Sequence, residues 1–536
     1  MTSDTLAPHG PQSQSPATGV GALLALAARR DRIRLSVWVS ALTLMMVYAP
    51  NAVKLAYPDE ASRVARVNLL KTPAGIMLGG PFFGDNQTDL GVMMANELML
   101  TLIVAASILS ILTVVRHTRA EEESGTSELV VSAVVARHAR TLAALTLVGA
   151  VNAVLAVMMT VALTVTGFDL IDCAGMCLGI TAVSMLFGAI AAVAVQLWRQ
   201  ARTATGAAMG VLAAAVLVRG VGDILDHSGS ALSWLSPIAW AQQMRSFVEL
   251  RWWPLAPLVA VTAGLIALSM LLESRREYDD GVLPSRGDRV NAPPVRGVVG
   301  LNLVLQRGQV IGWGTGLFVS GLAFGSMTKS LQDAAKSNEL LARVLATQGY
   351  DGIYTTLTQF LAAAATGFVV AGVVRLSHDE QSGITEEVLA GSVSRWRWLL
   401  SNVGATLIGA AILMALAGLG NGIGAAVTMG DAGLVGRLTA AGIAHVPAMA
   451  VMAGIAAIAV AVRQQLIGWV AVTFVVLALY LGALLRLPRW LIDLSPVGRT
   501  TAPASVPWTA MVAMVVAALA LTALAGLILR RRDATQ

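Results

Sequence analysis

Glu121, Glu122 and Glu123 stand in a row before Ser124 and Gly125, and an echo of them returns 258 positions later as Glu380, Gln381, Ser382 and Gly383. Carboxylates so placed can hold a metal, move a proton or meet a basic surface. No HExxH, GxSxG or paired-carboxylate arrangement accompanies them, so the pattern offers no metal-assisted or nucleophilic catalysis, and no catalytic or metal-binding residue is inferred. A GxxxxGK[ST] phosphate loop is also missing, and the only lysines are Lys54, Lys71, Lys329 and Lys336; the chain cannot bind ATP through a phosphate loop of its own. Cys173 and Cys177, four apart, fit neither a zinc ribbon nor a redox CxxC pair and read as small apolar packing residues.

Proton or ion coupling would need ionisable groups inside apolar segments, where they are costly and therefore informative. Glu97, Arg219, Asp223 and His445 are the candidates. The first three fall near segment ends, where long side chains can reach the interface, and His445 alone lies deep.

The elements that must position these residues are membrane helices. Of the 536 residues 56% are hydrophobic and 13% charged, against about 25% charged in soluble domains. Runs such as Leu100–Val115, Leu142–Val165, Ala174–Val195 and Val512–Leu529 approach the ~20 residues that cross ~30 Å of hydrocarbon. A β-barrel would instead show ~10-residue alternating segments. Spans are expected at 35–50, 91–115, 141–167, 174–197, 204–222, 254–272, 310–326, 354–374, 399–428, 438–462, 466–485 and 506–529. The expected fold is therefore an all-α polytopic membrane protein of about twelve helices. Residues 220–254, with Trp234, Trp240, Trp252 and Trp253, are expected to return into the interface as re-entrant helices or remain outside.

Residues 1–18 are polar and rich in Pro and Ser, and read as a disordered cytosolic tail without a cleavage site. The net charge of +6 does not indicate nucleic acid, because the arginines sit in short loops beside apolar spans. Arg29, Arg30, Arg32 and Arg34 at one end and Arg530–Arg532 at the other place both termini in the cytosol.

The chain is duplicated. EESGTSELVVSAVVAR (122–137) and EQSGITEEVLAGSVSR (380–395) share seven of sixteen positions, among them Glu122/Glu380, Ser124/Ser382, Gly125/Gly383, Glu128/Glu386 and Arg137/Arg395. Leu235-Ser236-Pro237 recurs as Leu494-Ser495-Pro496, and the spacing of Arg32 to Trp38 recurs from Arg307 to Trp313. Residues 19–272 and 301–536 thus form two six-helix halves joined by a charged, Pro- and Gly-rich cytosolic linker at 273–300. Six spans per half make the copies parallel, with two equivalent cytosolic surfaces.

In each loop an acidic helical start meets a Ser-Gly break and a second helical start, with Thr126 or Ser127 as cap and Glu128 in the first turn. A merely solvated loop would carry acids that offset nearby arginines. Two copies that keep the same polar and glycine residues between drifted spans point to a shared partner surface.

The ExSGTxEL loop after the second span, the Arg-rich stretch before the first and the Leu-Ser-Pro segment before the sixth resemble permeases of the ABC-2 exporter class, and the whole chain is similar to the fused twelve-span actinobacterial permeases for tetronasin, polyketide-antibiotic or multidrug transport. The resemblance implies a bacterial inner-membrane permease that moves hydrophobic compounds outward, with ATP and Mg in two copies of a separate cytosolic ATPase. It implies elbow helices at Arg29–Leu35 and Gln306–Ile311, including Arg307, and ATPase-coupling helices at Glu121–Val131 and Asp379–Leu389. Ile384 for Thr126 and Glu387 for Leu129 make the two coupling sites unequal.

In the resembling family spans two and five of each half line the substrate seam. Candidates here are Met93, Met94, Asn96 and Glu97, with Gly206 and Gly210 in span five and Gln359 in span eight; ordinary small-residue packing is the competing reading for the glycines. Gly79-Gly80-Pro81-Phe82-Phe83-Gly84 has turn chemistry suited to a cap over the exit or to an external loop. The alternative function is an ion-coupled multidrug or lipid transporter, also compatible with twelve spans in parallel halves.

Overall fold

The computed structural model describes residues 19–533 except 72, 85–87, 125–135, 227–228, 277–279, 284–296, 330–331, 333–349, 382, 392, 481–487, 493 and 504–506. The expected N-terminal tail, Gly125, Thr126, Glu128 and Ser382 lie outside the described residues. The chain divides into two compact units, Met1–Val290 and Asn291–Gln536. Among the described residues the regular structure is helical, and ten helices are long and apolar enough to cross a membrane.

The first unit contains α1 (Val20–Ala56), α2 (Glu60–Leu70), α3 (Pro73–Gly79), α4 (Leu90–Arg116), α5 (Arg119–Glu123), α6 (Ala139–Val165), α7 (Leu170–Leu197), α8 (Ala201–Leu225), α9 (Pro237–Gln242) and α10 (Leu255–Arg275). Helices α4 and α7 pack together at its centre, and α7 also touches α6, α8 and α10. Leu102, Ile103, Ile111, Ile180, Val183 and Phe187 are buried along that contact. Local chemistry sets the starts: Asp89 accepts from the Gly91 N–H at 2.6 Å, and Asp169 from Ile171 and Asp172, satisfying donors that the first helical turn leaves free.

The expected first span, 35–50, is only the second half of α1. Arg29, Arg30, Arg32 and Arg34, expected in a separate elbow helix, lie inside that 37-residue helix. From Ala22 to Ala49 there is no Gly or Pro to end it, and the arginines are themselves good helix formers. Residues 229–254 form a short 3-10 turn at Ser233–Leu235, the six-residue α9 and irregular turns, in which Trp234 stacks on Trp253 at 5.3 Å.

The second unit contains α11 (Gly297–Ser326), α12 (Tyr350–Gln381), α13 (Ile384–Leu389), α14 (Arg395–Met429), α15 (Gly433–Ile443), α16 (Val446–Ala461), α17 (Leu466–Tyr480), α18 (Arg489–Ile492) and α19 (Trp508–Asp533). The second expected elbow, Gln306–Ile311 with Arg307, likewise merges into a longer helix, α11. The expected spans at 310–326 and 466–485 fall on α11 and α17. Neither is among the ten strongly apolar helices, α17 because it is short. The expected span 438–462 is interrupted at Ala444 and His445, where α16 restarts with Pro447 in its first turn, a position that tolerates the missing N–H.

Helices α11 and α14 meet backbone to backbone. A Cβ on Gly325 would lie 2.1 Å from the Asn421 carbonyl oxygen, and one on Gly420 equally near that of Phe318. Gly321 and Gly325, facing Gly420 and Gly424, make the four-residue small-residue spacing that lets membrane helices approach closely.

Candidate functional site

The repeated loop of the first unit rises from a dense ionic cluster. Asp31, on α1 and buried, accepts from Arg34 Nη1 (3.1 Å), Arg116 Nε (3.0 Å) and His117 Nε2 (3.1 Å). The other ring nitrogen of His117 faces Glu121 Oε1 at 3.1 Å, an oxygen that also accepts from Arg30 Nη1 at 3.2 Å. Arg30 thus reaches the acidic helix α5 directly, and Arg34 is linked to it through Asp31 and His117, a carboxylate and a ring that sequence reading passed over.

Glu122 sits at the centre of a second knot. Arg119, Arg140 (3.1 Å) and Arg276 (2.7 Å) all donate to its carboxylate, which is nearly sealed from solvent. Arg119 also donates to the backbone oxygens of Trp198 (3.0 Å) and Asp280 (2.7 Å). Arg276 further donates to Gln196 Oε1, while the Val282 and Leu283 N–H groups bond the Gln196 and Leu197 carbonyls, each at 3.0 Å. Arg276 and residues 280–283 are thereby fastened to the end of α7. Glu123 caps α8 by accepting from the Ala201 N–H at 2.6 Å. Arg137 donates to the backbone oxygens of Glu273 and Arg276, whose neighbourhood also holds His138 against the Glu273 carboxylate at 2.9 Å. All three acids of the first loop are thus engaged within the unit. Ser124 closes α5 by donating to the Glu121 carbonyl.

In the second copy α12 runs through Glu380 to Gln381, Gly383 adopts φ 79°, and α13 follows. That left-handed residue is the helical break expected from the Ser-Gly pair, and glycine takes it without steric cost. Glu386 projects from α13, exposed; Arg395 opens α14 behind the cap of Ser394, which accepts from the Arg397 N–H. Near this loop Arg375 pairs with Asp379 along α12 at 3.5 Å, and neutral contacts join α11 to α14: Asn302 donates to Ser401 Oγ (3.0 Å), Asn402 to Asn302 Oδ1 (3.3 Å) and Gln306 to Thr406 Oγ1 (3.1 Å).

The candidate substrate-path residues differ in their surroundings within each unit. Met93 and Met94 are fully buried in the first unit's interior. Glu97 is held by Arg66 at 2.7 Å, so α2 neutralises it. Asn96 binds the Gly80 and Pro81 carbonyls beneath the Gly79–Gly84 turn and lines a cavity of about 40 Å³. A Cβ on Gly206 or Gly210 would meet nothing within 4 Å, so both face open space on α8. Gln359, in the second unit, donates to the Gly498 and Thr500 carbonyls.

Arg219 and Asp223 were expected to reach the interface; they are buried together instead. Arg219 pairs with Asp223 at 3.3 Å and donates to the carbonyls of Ile76 and Met77 in α3, and Asp223 accepts from Ser233 Oγ at 2.6 Å. The pair pins α3 and the Ser233–Leu235 turn to the end of α8. A charge this deep persists only when paired and hydrogen-bonded. His445 is fully buried too, its Nδ1 2.9 Å from the Ala441 carbonyl oxygen. Outside the spans, hydrogen bonds from Ser62 hold the Asp59 carboxyl below its ordinary pKa, and desolvation, helped by Arg251, lowers that of Arg245. Cys173 and Cys177 are free and buried. Among the described residues no group of His, Cys, Asp or Glu is placed to hold a metal.

The arrangement suits force transmission rather than bond chemistry: acids and arginines knit α1, α5, the end of α7, Arg276 and residues 280–283 into one body. The family model for the C-terminal domain of the multidrug efflux system permease Rv1217c matches residues 295–530. The multidrug efflux system permease protein Rv1217c of Mycobacterium tuberculosis is 34% identical over 547 aligned residues, which cover 98% of this chain and 97% of that protein. Likeness at that level, over nearly the whole of both chains, places this helical membrane protein in a family: it belongs to the multidrug efflux system permeases.

Proposed function

We propose that the chain is the membrane-spanning permease of an ATP-binding-cassette exporter that carries hydrophobic compounds out of the cell, energised by two copies of a separate cytosolic ATPase that hold ATP and Mg. The observation that carries this reading is the near end-to-end likeness to a multidrug efflux permease, joined to the absence of a phosphate loop from the sequence. Twelve spans in two parallel halves, with both termini cytosolic, follow on this reading, and α11 and α17 supply the spans beyond the ten apolar ones.

The two repeated loops are the docking sites. In the second, Gly383 turns the chain into α13 and leaves Glu386 exposed to a partner. In the first, Glu122 supports the loop from beneath, and the docking surface is carried by the residues after Ser124. Arg29, Arg30, Arg32 and Arg34 mark where α1 enters the cytosolic interface, as Arg307 does for α11.

The test is co-expression of the permease with its ATPase, with the complex weighed intact. A 1:2 assembly is expected, and Glu386→Arg should lower its ATP turnover several-fold without moving the permease's thermal unfolding. A variant with undiminished turnover would sink the docking assignment. An ion-coupled mechanism would lean on His445, which is fully buried with Nδ1 2.9 Å from the Ala441 carbonyl oxygen.

A further inference from the structure

The Gly79–Gly84 turn sits over three buried polar atoms that lack partners. Asn96 turns Nδ2 toward the carbonyl oxygens of Gly80 (3.0 Å) and Pro81 (3.4 Å), and Gln242 turns Nε2 toward that of Gly79 (2.8 Å). A carbonyl oxygen can only accept, so these contacts decide which way each amide faces. The atoms left over are then oxygens, Asn96 Oδ1 and Gln242 Oε1. Together with Ser246 Oγ they find no partner among the described residues, although the three residues are only 8%, 8% and 9% exposed.

All three line the same cavity of about 40 Å³, whose walls include Phe82, Phe83, Val92, Ala95 and Met99. The strand of chain that delivers Ser246 is held in an unusual conformation. Arg245 and Phe247, on either side of it, have φ of 51° and 67°, a region that residues with side chains rarely adopt.

A buried acceptor without a donor is expensive, and Asn96 Oδ1 and Gln242 Oε1 are such acceptors while the Ser246 hydroxyl can both donate and accept, so the cavity calls for an occupant that brings a donor. The space admits one small polar group or a water. A cation is a poor match, because Arg245 lines the cavity, its guanidinium 4.6 Å from the Phe83 ring centroid, and no carboxylate does. The aromatic and aliphatic walls offer water no hydrogen bond but suit a carbon skeleton.

We propose that this cavity is a subsite for one neutral hydrogen-bond donor, a hydroxyl or amide N–H, carried on an otherwise apolar compound. The donor goes to one of the free oxygens that Asn96, Gln242 and Ser246 offer, and the carbon next to it lies against Phe82 and Phe83. The assignment rests on the reading of the chain as an exporter of hydrophobic compounds, since cargo is what brings such a group here. Its test uses neither ATP nor the ATPase, so the two ideas fail separately.

The probes are 2-naphthylmethanol and its methyl ether, equal in apolar body and different in the O–H. Equilibrium dialysis against the full chain in lipid nanodiscs, corrected for uptake by empty nanodiscs, gives the ratio of their affinities. The wild type should hold the alcohol about tenfold more tightly. Ser246→Ala should reduce that ratio, and Ala95→Val, which fills the cavity without altering a polar group, should bring it close to one. A ratio of one in the wild type overturns the proposal and leaves the cavity to water, as does a preference undiminished in Ser246→Ala and Ala95→Val. If Ala95→Val does not fold, the wild-type ratio and Ser246→Ala decide.

Discussion

The two units hold up their repeated loops by different physics. In the first, Arg30, Asp31, Arg116, His117 and Glu121 form one ionic chain, and Glu122 is enclosed by three guanidinium groups. In the second, one ion pair, Arg375–Asp379, stands beside the loop, neutral amide and hydroxyl bonds join α11 to α14, and toward their other ends those helices are locked at Gly321, Gly325, Gly420 and Gly424. Buried charge that must stay paired thus surrounds the first loop's acids, whereas the α11–α14 contacts of the second unit are neutral bonds and close backbone packing.

That contrast makes graded predictions, each read as a change in the unfolding free energy of the purified chain. The largest belongs to Glu122→Ala, which strands Arg119, Arg140 and Arg276 and should cost about 3–5 kcal/mol; Glu380→Ala, at the matching position, should cost less than about 1 kcal/mol. Equal losses would show the two loops to be supported alike. Next comes Gly420→Ala, whose new methyl meets the Phe318 carbonyl and should cost about 1–3 kcal/mol. Gly206→Ala, in open space on the first unit's α8, should instead gain up to about 1 kcal/mol from helix propensity; comparable losses at both would deny the close seam. The smallest effect is at Gln306→Leu, where one neutral hydrogen-bonded pair with Thr406 is lost, at about 1 kcal/mol. A loss as large as that from Asp31→Leu would contradict the neutral character of the α11–α14 contacts.

Much of the fold was legible because apolar blocks of membrane length report helices directly, and each expected span overlaps one. The end of a span was harder to see than its middle. Arg29–Arg34 look like a boundary by charge, yet nothing in their backbone preferences stops a helix, so α1 runs through them. The glycine seam escaped notice because 51 glycines are spread over the sequence, and only the register of two helices about a hundred residues apart shows which of them touch.

The loop was legible as a repeat but not as a structure. Seven shared positions mark Glu122 as special without saying that it points inward, because its partners Arg140 and Arg276 come from segments with no motif of their own. Asp31 was invisible for the same reason, a single acid among arginines. The free oxygens of Asn96 and Gln242 depend on which carbonyls their amide nitrogens meet, 15–16 and 163 residues away in sequence.

Active transport by the assembled complex is the decisive measurement: uptake of a hydrophobic fluorescent compound into inside-out membrane vesicles containing the permease and its ATPase. An ATP-driven exporter accumulates the compound only with hydrolysable ATP, loses that uptake to vanadate and keeps it when an ionophore collapses the ion gradients. Uptake that proceeds without ATP and disappears with the ionophore would contradict the exporter assignment and return the chain to ion-coupled transport.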